Sequence, residues 1–160
     1  MNSPMNEPHV KLLKSLNDQG VEYLLVGGML AIAYGVPRVT KDIDLFIRND
    51  IENAAKVLGV LEELGFGTAH LTTPEEVTKN EITVFKDFMR LDLLTRLKGL
   101  KFEEVFPRRA TIFLKGIEVP VLTLEDLIAE KKASGRPGDM EDVVQLEKVQ
   151  AMLREKQPKP

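Results

Sequence analysis

The chain has 160 residues, a formal net charge of −3 and no cysteine, with 43% hydrophobic and 29% charged residues. The lack of cysteine excludes disulfides, cysteine-bound zinc, iron–sulfur clusters and thiol catalysis, and the weak negative charge argues against a generally basic nucleic-acid binder. This length is typical of one domain, so we predict a single domain over residues 1–155 and a disordered tail over residues 156–160.

The sequence also argues against a membrane protein. Its longest mostly apolar run, Leu24–Val36, is interrupted by glycines and is shorter than the roughly 20 residues that a bilayer-spanning helix needs. The N-terminal segment Met1–Pro8 is polar and has no apolar signal core. We therefore expect no membrane segment and a cytoplasmic location.

The first part of the chain predicts a helix, a strand and a second, shorter helix. Apolar residues at helical spacing favour a helix over Asn6–Asp18. The β-rich run Glu22–Val26 predicts a buried strand, Gly27-Gly28 a turn, and Met29–Tyr34 a short helix.

The segment Asp42–Ile47 alternates acidic and apolar residues, a period of two that is typical of a strand. The alternation places Asp42 and Asp44 on the same face. The opposite face, which we expect to be core, carries Ile43, Leu45 and Ile47. Asp50 is suited to cap a following helix that runs to Leu64.

The rest of the chain predicts more strands and then two helices. The predicted strands are Glu81–Phe85, Met89–Thr95, Ala110–Leu114 and Ile117–Val121, the last two forming a hairpin. One helix begins after Thr123, and a break over Gly135–Gly138 separates it from a last helix over Asp139–Arg154. Strands in the middle and helices at both ends indicate an α/β or α+β domain with a small mixed sheet and flanking helices.

Three aspartates suggest a metal site. Asp42 and Asp44 share a strand face and repel each other, and a bound Mg²⁺ would relieve that repulsion. Asp92 lies between leucines in the strand Met89–Thr95, on the face of Arg90. Three carboxylates suffice to hold two metal ions about 4 Å apart, the arrangement used for in-line nucleotidyl transfer. By itself, an Asp-x-Asp on a strand is more often a solvated face.

Gly27-Gly28 adds a reason to expect a phosphate ligand. The pair follows a buried strand and precedes a helix, whose N-terminus offers free N–H groups and a positive dipole end. Glycine allows the backbone to come close to a ligand. A Gly-Gly after a strand is nevertheless common in ordinary turns.

Together these motifs resemble a known superfamily. Val26-Gly27-Gly28, a spacer, and Asp42-Ile43-Asp44-Leu45 are similar to the signature of the DNA polymerase β-type nucleotidyltransferases. The closer similarity is to small bacterial members, which include minimal nucleotidyltransferases and abortive-infection-type toxins. It continues in Leu127–Asp139, with a helix lysine, a Gly-Arg-Pro turn and a following aspartate.

The resemblance implies a nucleotidyltransferase fold and a set of site residues. Gly27 and Gly28 would approach the triphosphate. Asp42, Asp44 and Asp92 would be the catalytic and metal-binding carboxylates for two Mg²⁺, or for Mn²⁺. Asp92 would also accept the proton of the attacking hydroxyl.

Cationic and hydroxyl side chains complete the expected nucleotide site. Lys131 would lie near the phosphates, as the resemblance implies. Arg38 and Lys41 are further candidates to clamp the triphosphate, with an ordinary solvated surface as the alternative. Thr40 would either hydrogen-bond near the metal or simply begin the strand. We expect Arg136 to shape the turn before Pro137.

The sequence therefore predicts transfer of a nucleoside monophosphate from a nucleoside triphosphate to a hydroxyl of a protein, an RNA or a small molecule, with release of pyrophosphate. With 160 residues there is little room for an acceptor domain, so a homodimer or a partner protein would complete the pocket. Two alternatives stay open: a partner-binding module of a toxin–antitoxin pair, and a nucleotide-binding protein without turnover.

Overall fold

A computed structural model describes residues 5–157. Most of the predicted tail, residues 158–160, lies outside this range. The last helix ends at Glu155 and is followed by the cap residue Lys156.

The described chain forms one mixed six-stranded sheet, in the order β3-β4-β2-β1-β6-β5. Three neighbouring pairs are antiparallel, namely β1–β2, β3–β4 and β5–β6, while β2–β4 and β1–β6 are parallel. The strands are β1 (Tyr23–Val26), β2 (Ile43–Ile47), β3 (Ile82–Lys86), β4 (Arg90–Leu94), β5 (Ala110–Leu114) and β6 (Ile117–Val121). The predicted small mixed sheet is confirmed.

Seven α-helices surround this sheet within residues 5–157. They are α1 (Glu7–Asp18), α2 (Gly27–Tyr34), α3 (Ile51–Glu63), α4 (Pro74–Lys79), α5 (Phe102–Val105), α6 (Leu124–Ser134) and α7 (Pro137–Glu155), with a 3₁₀ helix at Gly67–Leu71. The 3₁₀ helix, α4 and α5 were not predicted from the sequence. All three are short, so they show too few turns for a helical period to be recognised.

Two helix starts differ from the prediction. Helix α2 begins at Gly27 itself, directly after extended Val26, so the glycine pair is the first turn of the helix. Helix α7 begins at Pro137 rather than at Asp139, since proline is well suited to the first helical turn. The break between α6 and α7 is therefore only Gly135 and Arg136.

The hydrophobic core is formed by buried residues of the sheet and of the helices packed on it. The predicted inward residues of β2 are buried, namely Ile43, Leu45 and Ile47. Burying an aliphatic side chain of this size stabilises the fold by roughly 1.5–3 kcal/mol. This packing fixes β2, and with it the direction in which Asp44 points.

The opposite face of β2 is closed at one end and open at the other. Asp44 and Phe46 share this face because they are two residues apart on the strand. Phe102 of α5 packs edge-on against Phe46, with 5.2 Å between ring centroids. Helix α5 thus covers the Phe46 end, and the Asp44 end faces a cavity.

No helix within residues 5–157 combines the length and the apolar character needed to cross a bilayer.

Candidate active site

The sheet register brings two of the three aspartates together. Strands β2 and β4 are parallel neighbours, and Asp44 is paired directly with Asp92. Both side chains project from the face opposite the core, because Leu91 and Leu93 of β4 are buried on the other side. The strand of Asp92 therefore lies directly beside the strand of Asp44.

The pairing has an electrostatic consequence at Asp44. Burial, followed by the charge of Asp92, raises the pKa of the Asp44 carboxyl well above its usual value. Asp42 adds to this shift, and Lys131 opposes it. Neighbouring carboxylates that resist ionisation together form a site that favours a bound cation.

Gly27 is required by the position of Asp44. Its φ of 72° lies in the left-handed region, and a Cβ built on it would be 2.0 Å from Oδ2 of Asp44. Any side chain at this position would push the carboxylate away. The constraint at Gly28 is milder, since a Cβ there would be 3.2 Å from Nη2 of Arg38.

Arg90 lies beside two of the three carboxylates, those of Asp92 and Asp42. Its Nε lies 3.1 Å from Oδ1 of Asp92, and its Nη2 lies 3.5 Å from Oδ2 of the same residue. The Nε is also 3.9 Å from Oδ2 of Asp42, whose side chain is 48% exposed. The strand period predicted that Arg90 and Asp92 share a face, but not this pairing.

Asp42, Asp44 and Asp92 offer only carboxylate oxygens, the type of ligand that Mg²⁺ and Mn²⁺ prefer. Within residues 5–157, no group of three acidic, histidine or cysteine side chains is already arranged around a common metal position. Asp44 and Asp92 face each other, whereas Asp42 lies on the side of Arg90. The half-exposed Asp42 side chain would have to rotate to join the other two.

A cavity of about 420 Å³ opens beside Asp44 and Asp92. Of the residues predicted to bind nucleotide or metal, its lining contains Gly27, Gly28, Arg38, Asp44, Asp92 and Lys131. Thr40, Lys41 and Asp42 are not part of that lining. The Thr40 hydroxyl accepts a hydrogen bond of 3.3 Å from the N–H of Asp42, and Lys41 is exposed.

Lys131 belongs to a buried ionic network between α6 and α7. Its side chain is 3% exposed, and its Nζ lies 2.9 Å from Asp142 and 3.4 Å from Asp139. Asp142 also accepts a 2.6 Å hydrogen bond from Nη1 of Arg38. Asp139 is further bound by Ser134 and Arg136, so Arg136 both ends the turn and lines the cavity.

Asp142 was missed by sequence analysis. A helical acid surrounded by other charges looks like part of a solvated face, and only the packing of α7 against α6 and Arg38 buries it. A weak signal was available, since Asp139 and Asp142 are three residues apart and therefore share a helix face. The network aligns two cations, Lys131 and Arg38, along one wall of the cavity.

The fold and this arrangement of a glycine turn, paired aspartates and cations define a nucleotidyltransferase-type domain. Residues 6–159 match the model of a family described as "Nucleotidyl transferase of unknown function (DUF2204)". The chain belongs to this family. The family match also confirms the superfamily resemblance inferred from the motifs.

Several solved structures have the same fold. A lincosamide antibiotic adenylyltransferase, LnuA, bound to lincomycin is 16% identical, with a TM-score of 0.60 over 92% of this chain and 99% of that one. An antigenic nucleotidyltransferase-like protein from Paracoccidioides brasiliensis is 18% identical, with a TM-score of 0.55 over 87% of this chain and 74% of that one.

The antibiotic-resistance factor ANT(2'')-Ia is 14% identical, with a TM-score of 0.53 over 93% of this chain and 90% of that one. A comparison with curated protein sequences gave no match. At these identities the solved structures establish the nucleotidyltransferase fold alone.

Proposed function

We propose that the protein is a metal-dependent nucleotidyltransferase that transfers a nucleoside monophosphate from a nucleoside triphosphate to a hydroxyl acceptor. The observation that carries the proposal is the direct pairing of Asp44 with Asp92 on the cavity side of the sheet. The carboxylate of Asp44 lies against Gly27 in the first turn of α2, where a side chain would collide with it. The family match is consistent with this reading.

Each part of the cavity has a role in the proposed reaction. The N-terminus of α2 at Gly27 and Gly28 offers backbone N–H groups to the triphosphate, and Arg38 and Lys131 supply positive charge beside it. Asp42, Asp44 and Asp92 would hold Mg²⁺ or Mn²⁺. When bound, these ions neutralise charge on the phosphates and lower the pKa of the attacking hydroxyl.

The chemical step is an in-line displacement. The acceptor oxygen attacks the α-phosphorus, the bond between that phosphorus and the bridging oxygen to the β-phosphate breaks, and pyrophosphate leaves with the bonding electron pair. The hydroxyl proton passes to the Asp92 carboxylate. For this, Arg90 has to release Asp92, which it binds in the described structure.

The proposed acceptor is defined only as a group that bears a hydroxyl. A protein side chain, an RNA end or a small molecule all offer a suitable hydroxyl. Two of the similar structures are antibiotic-modifying or antibiotic-resistance proteins, which makes hydroxylated antibiotics a reasonable class to test first. A second copy or a partner protein that completes the pocket, and a cytoplasmic location, also stay predictions.

The test supplies each α-³²P-labelled nucleoside triphosphate with Mg²⁺ or Mn²⁺. Candidate acceptors are the protein itself, total RNA, and panels of lincosamides and aminoglycosides. We expect label transfer to at least one acceptor, lost in Asp44→Asn and Asp92→Asn. Asp18→Asn, at an exposed position on α1, is the matched control and should retain activity.

The same experiment separates the alternatives. Metal-dependent nucleotide binding without release of pyrophosphate would favour a nucleotide-binding protein that does not turn over. Transfer to a co-purified partner protein would favour a role within a two-protein system. Absence of both transfer and metal binding by calorimetry would rule the proposed activity out.

A further inference from the structure

Glu130 differs from the other charged residues that line the cavity. Within residues 5–157, Asp44 lies against Asp92, and each of the remaining charged lining residues forms an ion pair; these are Arg38, Asp92, Lys131, Arg136 and Asp139. Glu130 also lines the cavity and is half-buried, yet in this part of the chain its carboxylate makes no hydrogen bond or ion pair. Its oxygens are available to a ligand.

Glu130 lines the cavity from α6, close to the segment that supplies part of the apolar lining. Ala133 follows it by three residues and therefore lies on the same side of the helix. A Cβ on Gly99 would be 3.4 Å from the Cβ of Ala133, so the segment around Gly99 packs on this side of α6. Leu97, from that segment, and Leu94 both line the cavity.

The environment of Glu130 requires a hydrogen-bond donor. Burial raises the pKa of its carboxyl; Lys131 and Arg136 oppose this shift, and the charge of Asp139 adds to it. A partly desolvated carboxylate is costly unless donors satisfy it. The phosphates of a nucleotide carry the same sign of charge and would avoid it, whereas the hydroxyl groups of the nucleotide can donate hydrogen bonds to it.

We propose that Glu130 accepts hydrogen bonds from the ribose hydroxyls of the bound nucleotide and so selects ribonucleotides over deoxyribonucleotides. The inference rests on the proposed function, because it needs the phosphates at Gly27, Gly28 and Arg38. With the phosphates there, the nucleoside extends toward Leu94 and Leu97, which offer an apolar surface to the base.

The size of the effect follows from the nature of the bond. A hydrogen bond to a charged group is worth enough to change affinity by roughly tenfold to a hundredfold. Wild-type protein is therefore expected to bind a ribonucleotide at least about tenfold more tightly than its 2′-deoxy counterpart.

The test measures nucleotide binding alone, without acceptor or turnover. Isothermal titration calorimetry in Mg²⁺ compares the α,β-methylene analogue of each ribonucleoside triphosphate with its 2′-deoxy form. Glu130→Ala should weaken binding of the ribo form and leave the deoxy form nearly unchanged, so that the preference disappears. Glu130→Gln should give a smaller loss, and Glu125→Gln, at an exposed position on the same helix, should bind as wild type does.

Several results would overturn the inference. One is a wild-type protein that binds both sugars equally. Another is a preference that survives in Glu130→Ala while circular dichroism shows a folded protein. If the substitution raises only the KM of a hydroxylated acceptor, the carboxylate serves the acceptor and not the ribose. Failure of wild type to bind any nucleotide in Mg²⁺ would instead count against the proposed function itself.

Discussion

At the scale of single residues, Gly27 is the position where one methyl group would disturb the site most. Its left-handed φ and the 2.0 Å approach to Asp44 exclude a side chain on two independent grounds. We expect Gly27→Ala to lower the free energy of unfolding by roughly 2 kcal/mol or more. Urea denaturation followed by circular dichroism measures the change.

Gly28→Ala is the matched comparison for this prediction. Its Cβ would meet the guanidinium of Arg38 at 3.2 Å and the methyl group of Thr40 at 3.6 Å, contacts that small side-chain shifts can relieve, and alanine is a better helix former than glycine, so a loss below about 1 kcal/mol is expected. Equal losses for the two variants would mean that the backbone at Gly27 adapts without strain.

Arg90 supplies a second prediction, on metal affinity. Its guanidinium already occupies the cationic position beside Asp92, so a divalent ion has to displace it. Arg90→Gln should bind Mn²⁺ several-fold more tightly, as measured by calorimetry. Arg96→Gln removes an exposed pair with Glu81 and should leave the affinity unchanged. Weaker Mn²⁺ binding in Arg90→Gln would show that Arg90 supports the site and does not compete for it.

The sequence predicted the faces of these residues but not their partners. The period of two predicted that Asp42 and Asp44 share one face of their strand and that Asp92 lies on the face opposite to Leu91 and Leu93. This alternation is a local property of a strand. The pairing of Arg90 with both Asp42 and Asp92 requires β2 and β4 to be neighbours in the sheet. Nothing local in the chain specifies that.

At the scale of elements, the start of α1 shows how a cap links to pH. The Asn6 side chain accepts a hydrogen bond from the N–H of His9, and Nδ1 of His9 accepts one from the N–H of Asn6. Burial of His9 lowers the pKa of its imidazole; the carbonyl of Lys41 opposes this, and the charge of Lys115 reinforces it.

A group whose pKa is lowered by folding stabilises the protein above its unfolded pKa, about 6.5 for histidine, and loses that contribution as the pH falls. We therefore expect the contribution of His9 to the free energy of unfolding to fall between pH 7.5 and pH 5, whereas Asp44, whose pKa is raised by folding, contributes in the opposite direction. The free energy of unfolding of wild type relative to His9→Gln should therefore fall across this range, because glutamine keeps the capping acceptor and does not titrate. Identical pH profiles for the two proteins would mean that His9 is not the responsible group.

The pairing of α6 with α7 depends on buried charge. Lys131 is 3% exposed, so Lys131→Met leaves Asp139 and Asp142 without their shared cation and should cost roughly 3 kcal/mol. The neighbouring Lys132 forms an exposed pair with Glu147, and Lys132→Met should cost less than about 1 kcal/mol. Thermal and urea unfolding would compare them, and similar losses would contradict a structural role for the buried network.

Helix boundaries were predictable where chemistry is local. Asn6, Asp50 and Thr123 cap α1, α3 and α6 through their own side chains, as their residue types suggest. Helices α4 and α5 were not predicted because each has only one or two turns, although Thr73 caps α4 through its side chain in the same local way. Phe102 of α5 is buried by packing on Phe46.

At the scale of the whole molecule, the site exists because of chain topology. After β2, the chain first forms β3 and then reverses direction into β4, which pairs antiparallel with β3 and parallel with β2. Only this order places Asp92 level with Asp44. The sequence motifs predicted a mixed sheet, but a parallel contact between distant strands is a long-range choice, and periodicity carries no information about it.

In the whole protein, stability and ligand binding place opposite demands on Asp44. Asp44 is buried beside Asp92, and this repulsion destabilises the ligand-free fold. Asp44→Asn removes the repulsion, so in EDTA the variant should have a higher Tm than wild type. With Mg²⁺ and a non-hydrolysable triphosphate at a hundredfold excess over Kd, wild type should gain about 2.7 kcal/mol, whereas the variant should gain almost nothing. Asp18→Asn should behave as wild type in both conditions. A lower Tm for Asp44→Asn in EDTA would mean that the Asp44 carboxylate stabilises the ligand-free fold, and it would contradict the destabilising repulsion between Asp44 and Asp92.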